Sequence, residues 1–493
     1  MYIGGLDVGT TGCKLSVYSD KGEFTYNSYK EYDVIRKNGE HEIDAEKIFG
    51  AVCDVLADAA KKYPISAMGV TTFGETFVAL DEYDNVLLPS MLYTDPRGHK
   101  ECEQLCERLG ESRITRIAGV KPHSMYSLPK IMWIKNNLPD VFEKIRRIML
   151  MEDYIVYKLS GAAQIDHSLA ARTMAFDIRE KCWSNIIFEA AEIDVSLMSS
   201  PVPTGSVAGN IREELAKKLD ISENTVIVNG AHDQVATAVG AGVLQAGEAV
   251  DGTGTVECIV PVFDSIPESE QLYDEGYSVV PYVFDGEYVC YALSFTGGAT
   301  LKWFRDNFAA KYTGENIYAQ LDASVSKTPT GILILPHFAG AANPYMDTNS
   351  EAGIIGLTLE SSAADIYKAL MEGVSYEMNV NIEHLKGFGI DLERIYATGG
   401  GASSDVWLQI KSDVWNRTVV SLSAKEVGSC GTCMLCGVAI GLYKDLYEAK
   451  RVFVKEKNTY TPNKENVSVY KKYYGAYTKL YNAIRPIVED LRK

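Results

Sequence analysis

Glycine, threonine and charged side chains are concentrated in the segment Asp7-Val-Gly-Thr-Thr-Gly-Cys-Lys14, near the start of the chain. Apolar runs flank it on both sides, so we predict two antiparallel strands joined by a tight turn. Gly9 and Gly12 allow positive φ and close backbone approach, so that the turn can present amide groups and the hydroxyls of Thr10 and Thr11 to a polyphosphate. An ordinary tight hairpin is the alternative interpretation, because short motifs of this kind also occur without function.

Two charged side chains of this segment suit the same chemistry. Asp7 is predicted at the end of the incoming strand, where its carboxylate would hold a hydrated Mg²⁺ beside the phosphates. Lys14 adds a positive charge close to the turn. Together these residues predict a site for a polyphosphate and its magnesium ion.

A second segment of the same kind lies about half a chain later. Asp251-Gly-Thr-Gly-Thr255 follows a glycine-rich approach and precedes an apolar run. Two such turns, one in each half, predict two related lobes that face each other across a nucleotide. A chain of 493 residues exceeds what one hydrophobic core usually supports, so we divide it into domains at residues 1–245 and 246–493.

Polar residues at strand ends in the first half are candidates for binding a hydroxylated substrate. We predict buried strands at residues 65–72 and 87–93, the first followed by Gly74-Glu75 and the second by Asp95. Ligands usually bind at such strand ends in α/β proteins. Glu75 and Asp95 are therefore candidate hydroxyl acceptors, and the alternative is that both are solvated loop residues.

A third candidate region follows a predicted strand at residues 225–229, where Gly230-Ala-His-Asp233-Gln234 leads into a helix of small residues. Asp233 has two possible roles there. It can cap the helix by accepting an N–H bond, or act as a general base toward a substrate hydroxyl. The residue type alone favours the cap, and the two roles are compatible.

Two glycine turns of the second half are candidates for binding a nucleotide. Gly298 opens a predicted helix and would let a nucleotide lie close to the backbone. Residues 395–405 are predicted as a strand, a triple-glycine turn containing Gly400 and Gly401, and a helix that starts near Asp405. Such a turn can pack against an adenine face and the α-phosphate, although a tight strand–helix connection needs the same glycines.

Three of the ten cysteines, Cys430, Cys433 and Cys436, have CxxCxxC spacing. An iron–sulfur cluster usually needs a fourth ligand, and none is evident in the sequence. The same spacing places the three thiols on one face of a helix, so we predict buried, inert thiols. For residues 166–177 we predict strand and loop and assign no chemistry.

The composition narrows the classes of function. Hydrophobic residues make up 46% of the chain and charged residues 23%, which is typical of a globular protein. The net charge of −18 argues against nucleic acid or an anionic membrane as a partner. The N-terminus lacks the basic region of a signal peptide, and no apolar run is long enough for a bilayer. With cysteines that form no compact framework, we expect a cytoplasmic protein with reduced thiols.

Read together, six segments of the chain resemble the FGGY family of carbohydrate kinases in their order and spacing. They are LDVGTTGCK, PKIMWIKNN, GAHDQ, DGTGT, AGIIGLTL with the helix after it, and TGGGAS. The resemblance implies an α/β, actin-like ATPase (ribonuclease H-like) fold, in which two duplicated α/β domains surround a central cleft. It also implies ATP in the cleft and a sugar in the N-terminal domain.

The resemblance implies roles for the candidate residues. Asp233 looks like the catalytic base, and Asp7 like the carboxylate on the Mg²⁺ side, acting through water. The positions implied for the phosphates and the rest of the nucleotide are Thr10, Thr11, Gly12, Lys14, Thr255, Gly298, Gly400, Gly401 and Asp405. The positions implied for the sugar are Gly74, Glu75, Asp233 and Gln234. We add Asp95 to them because it follows a predicted strand.

The sugar itself is less well defined. Xylulose kinases of this family tend to carry Met-His where this chain has Gly74-Glu75, and glycerol kinases tend to carry Arg-Glu. Gly74 leaves room that an arginine would fill, which favours a substrate larger than glycerol. We expect a five- or six-carbon ketose, polyol or sugar acid, with xylulose first. We also expect a homodimer that uses ATP and Mg²⁺. The alternative is an actin- or chaperone-like ATPase, or a nucleotide sensor, that phosphorylates no sugar.

Overall fold

The computed structural model describes residues 1–310, 312, 314, 316–424 and 426–493. The strands before residue 240 are β1 Tyr2–Val8, β2 Gly12–Ser19, β3 Phe24–Glu31, β4 Ile35–Lys37, β5 Glu40–Ile43, β6 Ile65–Thr72, β7 Phe77–Leu80, β8 Ser90–Met91, β9 Arg147–Leu150, β10 Gln164–Asp166, β11 Phe176–Asp177, β12 Cys182–Trp183, β13 Ser200–Val202, β14 Val207–Asn210 and β15 Val226–His232. The later strands are β16 Glu248–Thr253, β17 Glu257–Phe263, β18 Val279–Pro281, β19 Tyr288–Cys290, β20 Ala292–Ser294, β21 Leu333–Leu335, β22 Gly353–Ile355, β23 Arg394–Thr398, β24 Thr418–Leu422 and β25 Glu456–Tyr460.

The helices alternate with these strands along the chain. In the first half they are α1 Ala45–Ala60, α2 His99–Leu109, α3 Glu111–Ala118, α4 Ser127–Asn137, α5 Pro139–Phe142, α6 Met151–Ser160, α7 His167–Ala170, α8 Asn185–Ala191, α9 Glu213–Leu219 and α10 Asp233–Gly240. In the second half they are α11 Gln271–Asp274, α12 Gly298–Phe308, α13 Ile317–Ser324, α14 Ala363–Gly387, α15 Asp405–Trp415, α16 Val427–Ala439, α17 Leu446–Phe453, α18 Lys464–Tyr477 and α19 Leu480–Leu491.

Two large mixed sheets form the centres of two lobes. The first has the strand order β14-β15-β6-β1-β2-β3, and the second runs β18-β19-β17-β16-β23-β24-β25. In each sheet an antiparallel hairpin, β1–β2 or β16–β17, is extended by two parallel strands, β6 and β15 or β23 and β24. The repeated arrangement confirms the prediction of two related α/β lobes.

The sequence of α1 explains why it forms and where it packs. The Asp44 carboxylate caps the helix by accepting hydrogen bonds from two backbone N–H groups of the first turn. Its apolar residues recur at helical spacing, and Ile48, Val52 and Val55 are buried together with apolar residues of β1 and β2. The helix therefore covers one face of the first sheet.

The other face of that sheet is covered by α16, although this helix comes from the second half of the sequence. It packs on β1, β6 and α10. A side chain at Gly5 would lie 2.3 Å from the carbonyl oxygen of Ser429, and one at Gly69 would lie 2.6 Å from Cγ2 of Thr432 and 2.7 Å from Sγ of Cys436. The backbone and side chains of α16 therefore fill the space that these two glycines leave.

The three thiols are part of the packed core. Cys430, Cys433 and Cys436 are all buried on α16, as predicted from their helical spacing. Burial raises the pKa of the Cys430 thiol to about 12, which keeps it protonated and unreactive at neutral pH.

Two predicted segments have different structures. Residues 87–93 contain only the short strand Ser90–Met91. Residues 166–177 form the end of β10, the one-turn helix α7, a 3₁₀ turn at Ala171–Thr173 and β11. Within the described part of the chain, no helix combines the length and apolarity needed to cross a membrane.

Candidate active site

The turn between β1 and β2 has the predicted hairpin form, but its glycines serve a different purpose from the predicted one. The N–H of Gly9 donates to the carbonyl of Gly12 at 2.9 Å. Neither glycine has positive φ. A side chain at Gly12 would instead lie 2.5 Å from Oη of Tyr29. Close packing against β3, and not an unusual backbone conformation, therefore requires glycine at position 12, whereas Gly9 has no such close contact. Thr10 is half-buried and Thr11 is exposed on the turn.

Lys14 is paired within the protein. Its ammonium lies 2.8 Å from the Glu426 carboxylate, which immediately precedes α16, and both side chains are half-buried. The contact of Lys14 with the terminal phosphates stays a prediction, and a bound phosphate would compete with Glu426 for the ammonium. The ion pair ties the first hairpin to the start of α16.

Asp7 lies one residue before the end of β1, opposite Lys14 on one side and Thr71 on the other. Burial and the nearby Asp233 carboxylate raise the pKa of Asp7 to about 7, although Lys14 opposes the shift. A pair of carboxylates in a desolvated position fits a hard divalent cation, and Mg²⁺ is usually held by one or two carboxylates together with phosphates and water. No cluster of three or more protein metal ligands occurs among the described residues, so the remaining ligands would have to be phosphates and water.

Asp233 is the first residue of α10 and follows β15 directly, while the N-cap position belongs to His232. The Asp233 side chain lies in a crevice. Of its surface 39% is accessible, but the surrounding protein is close enough to desolvate the carboxylate. Burial raises its pKa to about 6, against hydrogen bonds from Gln234 and the charge of Arg172. Oδ1 of Asp233 is buried and has no hydrogen-bond partner among the described residues, although Nε2 of His232 lies 3.4 Å from it. The helix start therefore presents a carboxylate whose acceptor capacity is not used by hydrogen bonds at Oδ1, which suits a general base.

The predicted sugar residue Glu75 meets an arginine that the sequence did not reveal. Glu75 has a positive φ of 65°. Its Oε1 accepts from Nε of Arg172 at 2.7 Å and also from Nη2. Both side chains are buried. Arg172 lies in the 3₁₀ turn at Ala171–Thr173, within the region to which we assigned no chemistry.

The same arginine fills the space beside Gly74. A side chain at Gly74 would lie 3.0 Å from Cγ of Arg172 and 3.2 Å from Cδ2 of His232. The sequence prediction that Gly74 leaves room for a larger substrate is therefore wrong. The volume is occupied by an arginine from a distant part of the chain.

Two tyrosines enclose the arginine from different lobes. The guanidinium carbon of Arg172 lies 5.2 Å from the ring centre of Tyr126 and 5.4 Å from that of Tyr291. Tyr291 lies between β19 and β20 of the second lobe, and its hydroxyl is 3.0 Å from Nδ1 of His232. Burial lowers the pKa of His232 to about 3, so its imidazole is neutral. The crevice beside Asp233 is thus built by both halves of the chain.

Asp95 is not available to a sugar. One of its oxygens accepts from the backbone N–H and Nε of Arg97, and the other accepts from Nη2 of Arg97 and the backbone N–H of His41. Four bonds use the acceptor capacity of a carboxylate, and the side chain has no accessible surface. The prediction of Asp95 as a hydroxyl acceptor is therefore corrected, and its role is to hold the loop after β8.

The second lobe contains a cavity of about 850 Å³ at the ends of β16 and β23. Four of the predicted nucleotide residues line it: Thr255, Gly298, Gly400 and Gly401. Aromatic and polar side chains complete the wall, among them Trp303, Asn307, Tyr318 and Trp407. Asp405 is the exception, because its carboxylate accepts from the hydroxyl of Tyr460 and is absent from the cavity wall. Ser403 and Ser404 lie on the wall instead.

The two acidic hairpins are not equivalent in chemistry. Asp251 is fully buried, and its carboxylate is paired with the ammonium of Lys411, which also donates to Oγ1 of Thr253 at 2.6 Å. Lys411 lies 3.0 Å from Glu257 as well. Asp251 thus fixes the turn from beneath, whereas the pKa of Asp7 is raised by burial and by the nearby charge of Asp233.

Comparison with known proteins agrees with this geometry. Residues 2–240 match the N-terminal domain, and residues 269–440 the C-terminal domain, of the FGGY family of carbohydrate kinases. The xylulose kinase of Bacillus subtilis (strain 168) is 25% identical over 100% of this chain and 99% of its own, and the gluconokinase of Bacillus licheniformis is 26% identical over 98% and 96%. The solved xylulose kinase of Lactobacillus acidophilus covers 99% of both chains with a TM-score of 0.89 at 24% identity, which shows the fold.

Two duplicated lobes, a cavity in the second lobe that suits a nucleotide, and a carboxylate at a helix start in the first define a phosphotransferase of the actin-like ATPase fold. The chain belongs to the FGGY family of carbohydrate kinases. It is an ATP-dependent sugar kinase that uses a hydroxyl group as phosphate acceptor.

Proposed function

We propose that this kinase transfers the γ-phosphate of ATP to a hydroxyl of a five- or six-carbon sugar, with a ketopentose such as xylulose as the first candidate. The observation that carries the proposal is the desolvated carboxylate of Asp233, whose Oδ1 has no hydrogen-bond partner among the described residues and lies beside His232, which Tyr291 of the second lobe contacts. Relatives of nearly equal identity are named xylulose kinase and gluconokinase, which supports this size of substrate. The crevice contains Glu75, Arg172 and His232 beside the base.

The residues present suit phosphoryl transfer, in which a protein acts mainly by positioning and by stabilising charge. Asp233 would orient the attacking hydroxyl and accept its proton late in the transfer. Gln234 would hold the carboxylate in place through the hydrogen bonds that lower its pKa. Closure of the two lobes around the reactants would exclude water from the place of the sugar.

The nucleotide and its metal ion fit the residues on either side of the cleft. The cavity lined by Thr255, Gly298 and Gly401 would hold ATP. Asp7 would hold Mg²⁺ through water, and the ion would neutralise charge on the phosphates. The raised pKa of Asp7 supports this assignment, because a nearby cation relieves the repulsion from Asp233.

Three broader proposals follow from the sheet topology, the cysteines and the net charge. We place the domain boundary at residue 245, between the last strand of the first sheet and the first strand of the second, although α16 returns to the first sheet. We also place the enzyme in the cytoplasm, since none of its ten cysteines, all within the described residues, is in a disulfide. The net charge of −18 disfavours nucleic acid and anionic membranes as partners.

A coupled assay for ADP over pentuloses, hexuloses, polyols and aldonates tests the proposed activity. We expect ATP turnover that depends on the sugar, with the largest kcat/KM for a pentulose or hexulose. Turnover that no sugar changes would favour the alternative of an ATPase or nucleotide sensor. The same assay without added Mg²⁺, in the presence of a chelator, is expected to abolish turnover.

The raised pKa of Asp233 predicts the acid side of the pH profile. A base must be deprotonated, so kcat/KM for the sugar is expected to fall as pH decreases through about 6, by about tenfold for each further pH unit. His232 stays neutral over this range, and saturating Mg²⁺ would keep Asp7 ionised. A profile that stays flat down to pH of about 4, the ordinary range of an aspartate, would contradict the assignment of the base.

A further inference from the structure

Two relatives of this chain are named after substrates that differ in charge. Xylulose is uncharged, whereas gluconate carries a carboxylate, and the two named kinases are 25% and 26% identical to this chain. Sequence identity therefore does not indicate whether this enzyme takes a neutral or a charged substrate. The charges around Arg172 give a separate criterion.

Arg172 is a buried cation whose charge is already balanced. Burial alone would lower its pKa, but the Glu75 carboxylate more than offsets this and raises the pKa. Nε and Nη2 both bind Oε1 of Glu75. The pair as a whole is neutral, so the arginine offers no net charge to a bound anion.

The other ionisable groups of the crevice make it slightly acidic. His232 is neutral, and Asp233 must be ionised to act as the base. Tyr126 and Tyr291 are buried and have raised pKa values, so they too are uncharged. Lys130 is a second cation that interacts with the Glu75 charge, and its ammonium is buried and donates to the backbone carbonyls of Asp95 and Ser124. Among these described residues, a bound carboxylate would therefore meet the charge of Asp233 without an unpaired cation to balance it.

Two polar atoms of the crevice nevertheless need partners. Nη1 of Arg172 is a buried donor and Oδ1 of Asp233 a buried acceptor, and neither has a hydrogen-bond partner among the described residues, although Nε2 of His232 lies 3.4 Å from Oδ1. A buried donor left unpaired costs free energy, so the ligand is expected to supply an oxygen that accepts from Nη1. A hydroxyl that donates to Asp233 and a carbonyl or second hydroxyl that accepts from Arg172 satisfy both.

From this arrangement we propose that Arg172 is a specificity-determining residue that binds an uncharged ketose or polyol and, neutralised by Glu75, rejects aldonates. The inference rests on the proposed function and narrows it. Arg172 would contact an oxygen of the substrate directly, while Glu75 sets the net charge that the substrate meets. Tyr126 and Tyr291 hold the guanidinium between their rings.

The test compares a ketose with an aldonate of the same carbon number, xylulose with xylonate and fructose with gluconate. For the wild-type enzyme we expect kcat/KM for the better ketose to exceed that for its aldonate by about 10²-fold, the scale of one uncompensated like-charge contact. Equal or better use of the aldonate would overturn the inference and leave the kinase activity intact. ATP turnover that ignores every sugar would instead overturn the proposed function.

Glu75→Gln provides the sharper measurement. It keeps the size of the side chain and an oxygen for Nε of Arg172, but it leaves the guanidinium unbalanced. We expect the aldonate-to-ketose ratio of kcat/KM to rise by about tenfold or more, with KM for ATP unchanged. A general structural defect would lower kcat/KM for the ketose and for the aldonate by the same factor. An unchanged aldonate-to-ketose ratio in Glu75→Gln would therefore contradict the inference.

Glu42→Gln is the matched control. Glu42 also pairs with a half-buried arginine of the first lobe, because its Oε1 accepts from Nη2 of Arg97 at 2.7 Å. Removing this charge is expected to leave the substrate ratio within about twofold of wild type. A shift as large as that of Glu75→Gln would show that the ratio reports any loss of a carboxylate and would overturn the role of Glu75.

Arg172→Gln tests the contact itself. We expect kcat/KM for the ketose to fall by about 10²-fold or more while KM for ATP stays the same, because only the sugar loses a partner. Unchanged use of the ketose would refute the contact. If this variant fails to fold, the wild-type ratio and the Glu75→Gln variant still decide the proposal.

Discussion

Replacing Asp233 with alanine is expected to lower kcat by about 10²- to 10⁴-fold, the range of a positioned general base. Asp233 is the carboxylate at the start of α10 whose Oδ1 has no hydrogen-bond partner among the described residues, and Asp7, the neighbouring carboxylate with a raised pKa, is assigned to the Mg²⁺ side. Glu75 is bound to Arg172, and His232 is hydrogen-bonded to Tyr291. The reaction would therefore have no substitute base.

ATP binding is expected to survive this change, because the nucleotide cavity lies in the second lobe. Trp303 and Trp407 line that cavity, so quenching of their fluorescence by ATP measures binding directly. Asp233→Asn serves as the isosteric companion and is expected to lose kcat to a similar extent while keeping the fold. Near-normal turnover in either variant would refute the assignment of the base.

The parts of this site that could be predicted from sequence are those formed by neighbouring residues. The Asp7–Lys14 hairpin, the strand–helix junction at Asp233 and the glycine turn at Gly400 each consist of a short segment whose residue types determine the local backbone. The lining of the nucleotide cavity by Thr255 and Gly298 follows from such turns at strand ends.

The parts that could not be predicted depend on contacts between distant segments. Arg172 and Glu75 are 97 residues apart, and Lys14 and Glu426 are 412 residues apart. Residue type alone does not show which carboxylate an arginine or lysine will find. Asp95 illustrates the same limit, since its strand-end position suited a ligand but Arg97 occupies its oxygens.

The position of Asp233 also depends on a contact behind the site. Helix α10, which begins at Asp233, crosses α16 where two glycines meet: a side chain at Gly240 would lie 1.9 Å from the carbonyl oxygen of Val427, and one at Gly431 would lie 2.0 Å from that of Ala236. Both obstacles are backbone atoms, which cannot rotate away. The two helices approach this closely only because these positions lack side chains.

Gly240→Ala is therefore expected to destabilise the protein by about 1–3 kcal/mol or more, because one methyl group must push two packed helices apart. The displacement moves the helix that carries Asp233, so kcat is expected to fall even at temperatures where the variant is folded.

Gly50→Ala is the control: Gly50 is exposed within α1, and its added methyl group would have no neighbour within 4 Å. There the same substitution is expected to stabilise the protein by about 0.5–1 kcal/mol, because alanine loses less backbone freedom on folding. Thermal unfolding and kcat of both variants check the prediction, and a Gly240→Ala enzyme as stable and active as Gly50→Ala would show that α10 is not positioned by α16.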